Sequence, residues 1–259
     1  MKRLWLGAVF LMMLAGLIRA QPAADVPAIA AASDLQFALE EIAAKFRMDT
    51  KRDVKPVFGS SGNFFSQIEQ GAPFQLFMSA DEGFIFKLAD SGRAEDRGTP
   101  YAVGRIVLFA PHGSSFKPDA QMDGLKSALG GDRIRRFAIA NPEHAPYGRA
   151  AEQALRKLGL WPSLQHRLVL GENVSQAAQF ATAGSADGGI FAYSLALAPA
   201  ISKFGTYVLI PAEMHDPLRQ RMTLLKGANN TARSFYRYLQ QPAAREIFRR
   251  YGFVLPGAS

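Results

Sequence analysis

No cysteine occurs in the 259 residues, which rules out a disulfide scaffold, a thiolate metal site and a lipoprotein anchored through a cysteine. Histidine is scarce as well, with only His112, His144, His166 and His215, and none sits in a zinc-binding or nucleophile-elbow pattern. A Gly-rich phosphate loop of the Walker type is missing, as are paired metal carboxylates, internal repeats, low-complexity tracts and heptad seams. The one long apolar run, Leu4 to Ile18, is too short to span a bilayer comfortably. Lys2 and Arg3 precede it and a polar "QPAADVP" follows it, so residues 1–20 read as a secretory signal peptide. Cleavage is expected after Ala20, with Ala23 and Ala24 as alternatives, and the remainder is expected to be a soluble, periplasmic protein. Removing Lys2, Arg3 and Arg19 lowers the formal charge from +8 to +5. The remaining basic residues are scattered, and the densest groups, "DRIRRFAIA" and "REIFRRYGF", flank apolar positions as solvated faces do. A nucleic-acid partner is therefore not expected.

What the mature chain does have is a regular alternation of short strand-like runs with helical ones, the signature of an α/β fold. "PAIAAAS" reads as a buried strand, and "DLQFALEEIAAKF" follows it with apolar residues at Leu35, Ala38, Leu39, Ile42, Ala43 and Phe46, which is helical spacing. "VKPVFGSS" leads into a helix expected over residues 62–70, and "FQLFMSA" into one opened by Asp81 and Glu82. Further pairs follow through "GGIFAYS" and "TYVLIPA", then a polar "EMHDPLRQ" stretch, "RMTLL", and helices expected over 231–239 and 243–251. A chain with so many βα units is expected to fold as two lobes, with extended crossings near residues 105–110 and 207–225. The division places residues 28–107 and 207–259 in the first lobe and residues 108–205 in the second.

Small and hydroxyl residues recur where strands hand over to helices. Ser33 ends one strand; Ser60, Ser61 and Gly62 stand at the next junction; "NPEHAPYG" puts Tyr147 and Gly148 at a third helix start; "GENVSQA" puts Asn173 and Val174 at a fourth. Each start offers unpaired N–H groups and the positive end of a helix dipole, so several converging starts would hold an anion without any formal positive charge. Taken singly, each is more simply a capped helix, because Ser and Asn are favoured N-caps. A serine nucleophile is a further, minor reading, since it needs a base. His144 is the nearest histidine, and its simpler role is to brace a helix start.

These stretches resemble the periplasmic molybdate-binding proteins of ABC transporters, which are type II substrate-binding proteins. "AASDLQFALEEIAAKF", "FGSSGNFFSQIEQGAPFQLFMSAD", "NPEHAPYG", "GENVSQA", "GGIFAYS" and "AREIFRRYGFVLP" span nearly the whole mature chain in the family's order. The resemblance implies two lobes joined by two crossing strands, molybdate and tungstate as ligands, no cofactor, a monomer, and delivery to a permease in the inner membrane. Receptors for sulfate or phosphate are the nearest alternative. The resemblance also implies that Ser33 and Ser61 meet the anion through hydroxyl and backbone N–H, and that Tyr147 and Val174 do so through backbone N–H alone. Many relatives add a tyrosine from a "GIVY" segment; here "GIFAY" has Ala192 at that place and Tyr193 one residue later, which leaves Tyr193's reach to the ligand open. Asp34 stands beside Ser33, where a carboxylate would repel a dianion; as the first helical residue it is expected to cap its own turn and point away.

A buried dianion is stable only if its oxygens receive hydrogen bonds, and neutral donors suffice because such bonds are charge-assisted. A site without acceptors disfavours hydrogen phosphate, whose proton would lack a partner. Sulfate passes that filter and must be rejected by size.

Overall fold

The computed structural model describes residues 26–257; the expected signal peptide lies outside them. The first sheet contains β1 (Ala28–Ala32), β2 (Lys55–Gly59), β3 (Leu76–Ser79), β4 (Thr99–Gly104) and β10 (Leu218–Leu224), in the order β2-β1-β3-β10-β4. The second contains β5 (Ile106–Pro111), β6 (Phe137–Ala140), β7 (Leu168–Gly171), β8 (Gly189–Ala192) and β9 (Gly205–Leu209), in the order β7-β6-β8-β5-β9. The two sheets share one plan. β1 pairs parallel with β2 and β3, and β6 pairs parallel with β7 and β8, while the fourth strand in each order, β10 or β5, runs antiparallel to both neighbours. That reversed strand is the one arriving from the other lobe. The chain crosses once at Arg105, between β4 and β5, and again over residues 210–217, between β9 and β10.

Helices cover both sheets: α1 (Gln36–Thr50), α2 (Ser61–Glu69) and α3 (Glu82–Asp90) with the first, α4 (Asp123–Gly130), α5 (Pro146–Lys157), the single turn α6 (Trp161–Leu164) and α7 (Val174–Thr182) with the second. Two further turns, α8 (Tyr193–Ala196) and α9 (Pro199–Ser202), precede β9, and α10 (Asn230–Tyr238) and α11 (Pro242–Arg250) return to the first lobe. The parallel strands are buried on both faces, hence their unbroken apolar runs "AIAAA" and "FAIA". The two faces of the first sheet carry separate apolar clusters, around Phe46, Phe235 and Phe248 on one side and Phe64 and Phe77 on the other. The second lobe packs around Phe109, Phe137 and Phe191.

Three details differ from the sequence reading. Helices expected over 62–70, 231–239 and 243–251 each begin one residue earlier, because Ser60, Asn229 and Gln241 take the capping position. Strand pairing puts Val107 and residues 207–209 in the second sheet, so the chain changes sheets at Arg105 and after Leu209 and not at the boundaries expected above. The polar "LRQ" opens β10: Leu218, Gln220 and Met222 are buried while Arg219 is exposed, so Gln220 is an interior residue, 0% exposed.

A candidate oxyanion site between the lobes

The strand-to-helix junctions of both lobes meet across a closed cleft. From the first lobe come the 3-10 turn Ser33–Leu35 and the start of α2; from the second come the starts of α5 and α7. Together they enclose a small cavity of about 10 Å³ lined by Ser33, Asp34, Ser60, Ser61, Tyr147 and Val174, with Ala32, Gly59, Ala80, Ala145 and Pro146 filling the wall. No lysine, arginine or histidine lines it.

The donor inventory is specific. Ser61 Oγ accepts the N–H of Ala80 at 2.9 Å, and Ser33 Oγ accepts the N–H of Ser175 at 3.3 Å. Each hydroxyl accepts one N–H and donates to nothing among the described residues, so its proton is free for another oxygen. Ser61, Tyr147 and Val174 lie in the first turn of α2, α5 and α7, where no preceding helical carbonyl exists for their N–H groups. Among the described residues, none of these three N–H groups has a partner. By contrast, Ser60 is an ordinary cap: its Oγ accepts the N–H of Asn63 at 3.3 Å and contacts His144 Nδ1 at 3.0 Å.

Closure is held by direct contacts across the cleft. Gly62 N donates to the carbonyl of His144 at 3.0 Å, and a Cβ on Gly62 would stand 2.5 Å from that oxygen, so a residue without a side chain is needed there. Ser175 Oγ donates to the Ser33 carbonyl at 2.9 Å. Deeper in, the Tyr147 hydroxyl donates to Asp34 Oδ2 at 2.8 Å. Gln220 Nε2 donates to the same carboxylate oxygen at 2.6 Å and to the Tyr147 oxygen at 3.0 Å, while Tyr101 donates to Gln220 Oε1 at 2.7 Å. Nearer the opening, Arg149 pairs with Asp81 at 2.6 Å beside a larger cleft of about 260 Å³.

One residue behaves differently from expectation, and another that was left open is placed away from the cavity. Asp34 does not point away: its side chain is 1% exposed, lines the cavity and bonds Tyr147 and Gln220. Burial pushes its carboxyl up to about 6, against the opposing effect of the Gln220 and Tyr147 bonds. The wall is therefore not free of potential acceptors. Tyr193 is absent from the cavity wall; it opens α8, its ring packs on Tyr207 at 5.9 Å between centroids, and it abuts Gly252. The sequence reading missed Gln220, Tyr101 and Ser175, because a glutamine in a polar stretch, a strand tyrosine and a helix serine carry no local sign of a shared partner.

The chain matches the family model of the bacterial extracellular solute-binding proteins over residues 28–254. It belongs to that family. Among its relatives, the molybdate-binding protein ModA of Rhodobacter capsulatus is 38% identical over 251 residues, covering 96% of this chain and 95% of that protein. ModA of Azotobacter vinelandii is 36% identical over 245 residues, 93% and 94% of the two chains. The solved periplasmic molybdate-binding protein of Azotobacter vinelandii superposes with a TM-score of 0.79 at 33% identity, over 89% of this chain and 99% of that one. The fold is accordingly that of a type II periplasmic binding protein, two mixed sheets flanked by helices. Such a solute-binding protein carries its solute and no cofactor, and it is not an enzyme. The Ser60–His144 contact is structural in this light. Ser60 and His144 come from opposite lobes, Ser60 Oγ is already engaged by Asn63, and His144 braces the start of α2.

Proposed function

We propose that this solute-binding protein is exported, captures molybdate and also tungstate as a dianion between its lobes, and delivers it as a monomer to an ABC transporter permease in the inner membrane. One observation carries the reading: five uncommitted donors from both lobes, the Ser33 and Ser61 hydroxyls and the N–H groups of Ser61, Tyr147 and Val174, converge on one small cavity without a cation. That arrangement suits a fully deprotonated tetrahedral oxyanion. The bonds it receives are charge-assisted, and donors without formal charge leave no unpaired buried cation when the cargo leaves. The ModA relatives supply the choice of molybdate among such anions.

Calorimetric titration with molybdate, tungstate, sulfate and phosphate tests it. The expected outcome is one tightly bound molybdate or tungstate per chain with sulfate and phosphate far weaker. Preference for sulfate or phosphate would make the protein a receptor for that anion, and absence of binding to all four would end the oxyanion reading.

A further inference from the structure

The Asp34 carboxyl sits beside a cavity whose proposed occupant carries two negative charges. Its Oδ2 is held by Tyr147 from the opposite lobe and by Gln220 on β10, the strand that returns from the second lobe, while its Oδ1 is buried with no hydrogen-bond partner among the other described residues. No lysine, arginine or histidine among the described residues pairs with it. Of the charged side chains on the elements packed around the Ser33–Leu35 turn, Arg149 pairs with Asp81, Arg221 with Glu82 and Glu41 with Arg250. Glu40 and Lys55 are exposed at the surface, and α7 and α8 carry no charged residue. Tyr101 and Tyr147 are the titratable groups that interact with it, and burial holds both phenols well above their usual range, so they act as neutral donors.

We propose that Asp34 is the latch that closes the cleft through Tyr147, and that it holds the anion-loaded, closed state as the neutral acid, so that capture takes up one proton from solvent. The inference rests on the oxyanion-receptor reading. Opening the cleft separates Tyr147 from Asp34 and returns the carboxyl to water, where it ionises as an ordinary aspartate. Closing removes that water. Burial outweighs the hydrogen bonds that favour the carboxylate and already moves the carboxyl to about 6, and a dianion within the same small cavity disfavours the carboxylate further. The proton, placed on Oδ1, turns the unpartnered acceptor into a donor. Oδ2 remains engaged by its two donors, so the neutral form restores an acceptor-poor wall that disfavours hydrogen phosphate.

The sign follows from the raised carboxyl: the closed, loaded state gains as pH falls through the loaded-state value, and the gain levels off below the ordinary aspartate range. Titration of molybdate into the full protein in buffers of different ionisation enthalpy should show uptake approaching one proton per anion near neutral pH. Affinity should tighten by up to about tenfold per pH unit between about pH 8 and about pH 6, the slope of a single linked proton. Asp34→Asn imitates the neutral acid. It should abolish both the uptake and the slope and should bind more tightly than the unaltered protein at the alkaline end. Tyr147→Phe, which removes the latch partner and keeps the backbone N–H, should weaken binding several-fold, chiefly through faster release. Tight molybdate binding with no proton uptake in the unaltered protein would overturn the latch while leaving the receptor intact. Uptake that survives Asp34→Asn would assign the proton to another group and overturn it equally. Failure of molybdate to bind at any pH would remove both readings. If Asp34→Asn fails to fold, the buffer series on the unaltered protein decides alone.

Discussion

The two lobes meet the same cavity with different chemistry. The first presents side chains, the hydroxyls of Ser33 and Ser61 and the carboxyl of Asp34, whereas Tyr147 and Val174 in the second present backbone N–H groups, the Tyr147 side chain being turned to Asp34. A side-chain donor depends on residue identity, and a backbone donor depends on where the helix begins. The first lobe's side-chain donors should therefore be removed by conservative substitutions, while its Ser61 N–H and the second lobe's donors yield only to changes in the main chain.

The largest expected effects set Ser61→Ala against Val174→Pro. Ser61→Ala removes a hydroxyl that receives Ala80 N–H and donates inward, and it should weaken molybdate binding by about 1.5–3 kcal/mol, the worth of a hydrogen bond to a charged group. Ser33→Ala should match it and also loosen the Ser175 contact. Val174→Pro deletes one N–H at the first position of α7, where proline is tolerated, and the preceding Asn173 is already extended as a pre-proline residue must be. Its cost should equal that of the serines while the melting temperature of the unliganded protein changes little. An unaffected affinity in Val174→Pro would show that the second lobe does not bind through its backbone.

Next comes Gly62→Ala, which tests closure and not donation. With a Cβ only 2.5 Å from the His144 carbonyl, the lobes must stand apart, and about 1–3 kcal/mol of affinity should be lost by overpacking while the open protein folds normally. Scattering from the variant should show no compaction on adding molybdate.

Ser60→Ala separates capping from binding at adjacent serines. Loss of its bond to Asn63 should lower stability by about 1 kcal/mol and leave affinity nearly unchanged. An affinity loss as large as that of Ser61→Ala would merge their roles. Smaller still, Arg149→Ala breaks a cross-cleft ion pair whose side chains are each 37% exposed; solvent screening limits its worth to below about 1 kcal/mol, and added salt should diminish the difference. Val174→Ala should leave affinity unchanged, because the N–H stays in place.

Legibility in the sequence follows the same division. Ser33 and Ser61 are visible because a small hydroxyl residue at a strand-to-helix handover is a local signal. Tyr147 and Val174 were visible only as residues at helix starts, and the family resemblance alone singled out their N–H groups, since an N–H group leaves no mark in a side-chain alphabet. The α/β alternation was readable from period and the two-lobed plan from the family resemblance, but the point where the chain changes sheets was not: residues 105–111 and 205–210 continue the same extended, apolar pattern on either side of the crossing. Asp34 was misplaced for a physical reason. Its neighbours in sequence suggest a capping residue, and its partners Tyr147 and Gln220 lie 113 and 186 residues away, where only the folded chain brings them together. Gln220 was hidden between two arginines, exposed Arg219 and half-buried Arg221, which made a strand facing the interior look like a polar loop.

The central claim is that neutral donors from both lobes close around one dianion, and the measurement that tests it most directly is the response of the full protein to molybdate in melting and small-angle scattering. At a thousandfold excess over Kd, ligand binding to the folded state alone adds about 4 kcal/mol of stability, so the melting temperature should rise clearly. The radius of gyration should fall as the lobes close. A melting temperature and a radius of gyration both unchanged by about 1 mM molybdate would contradict the account, since a cleft that binds and closes must change both.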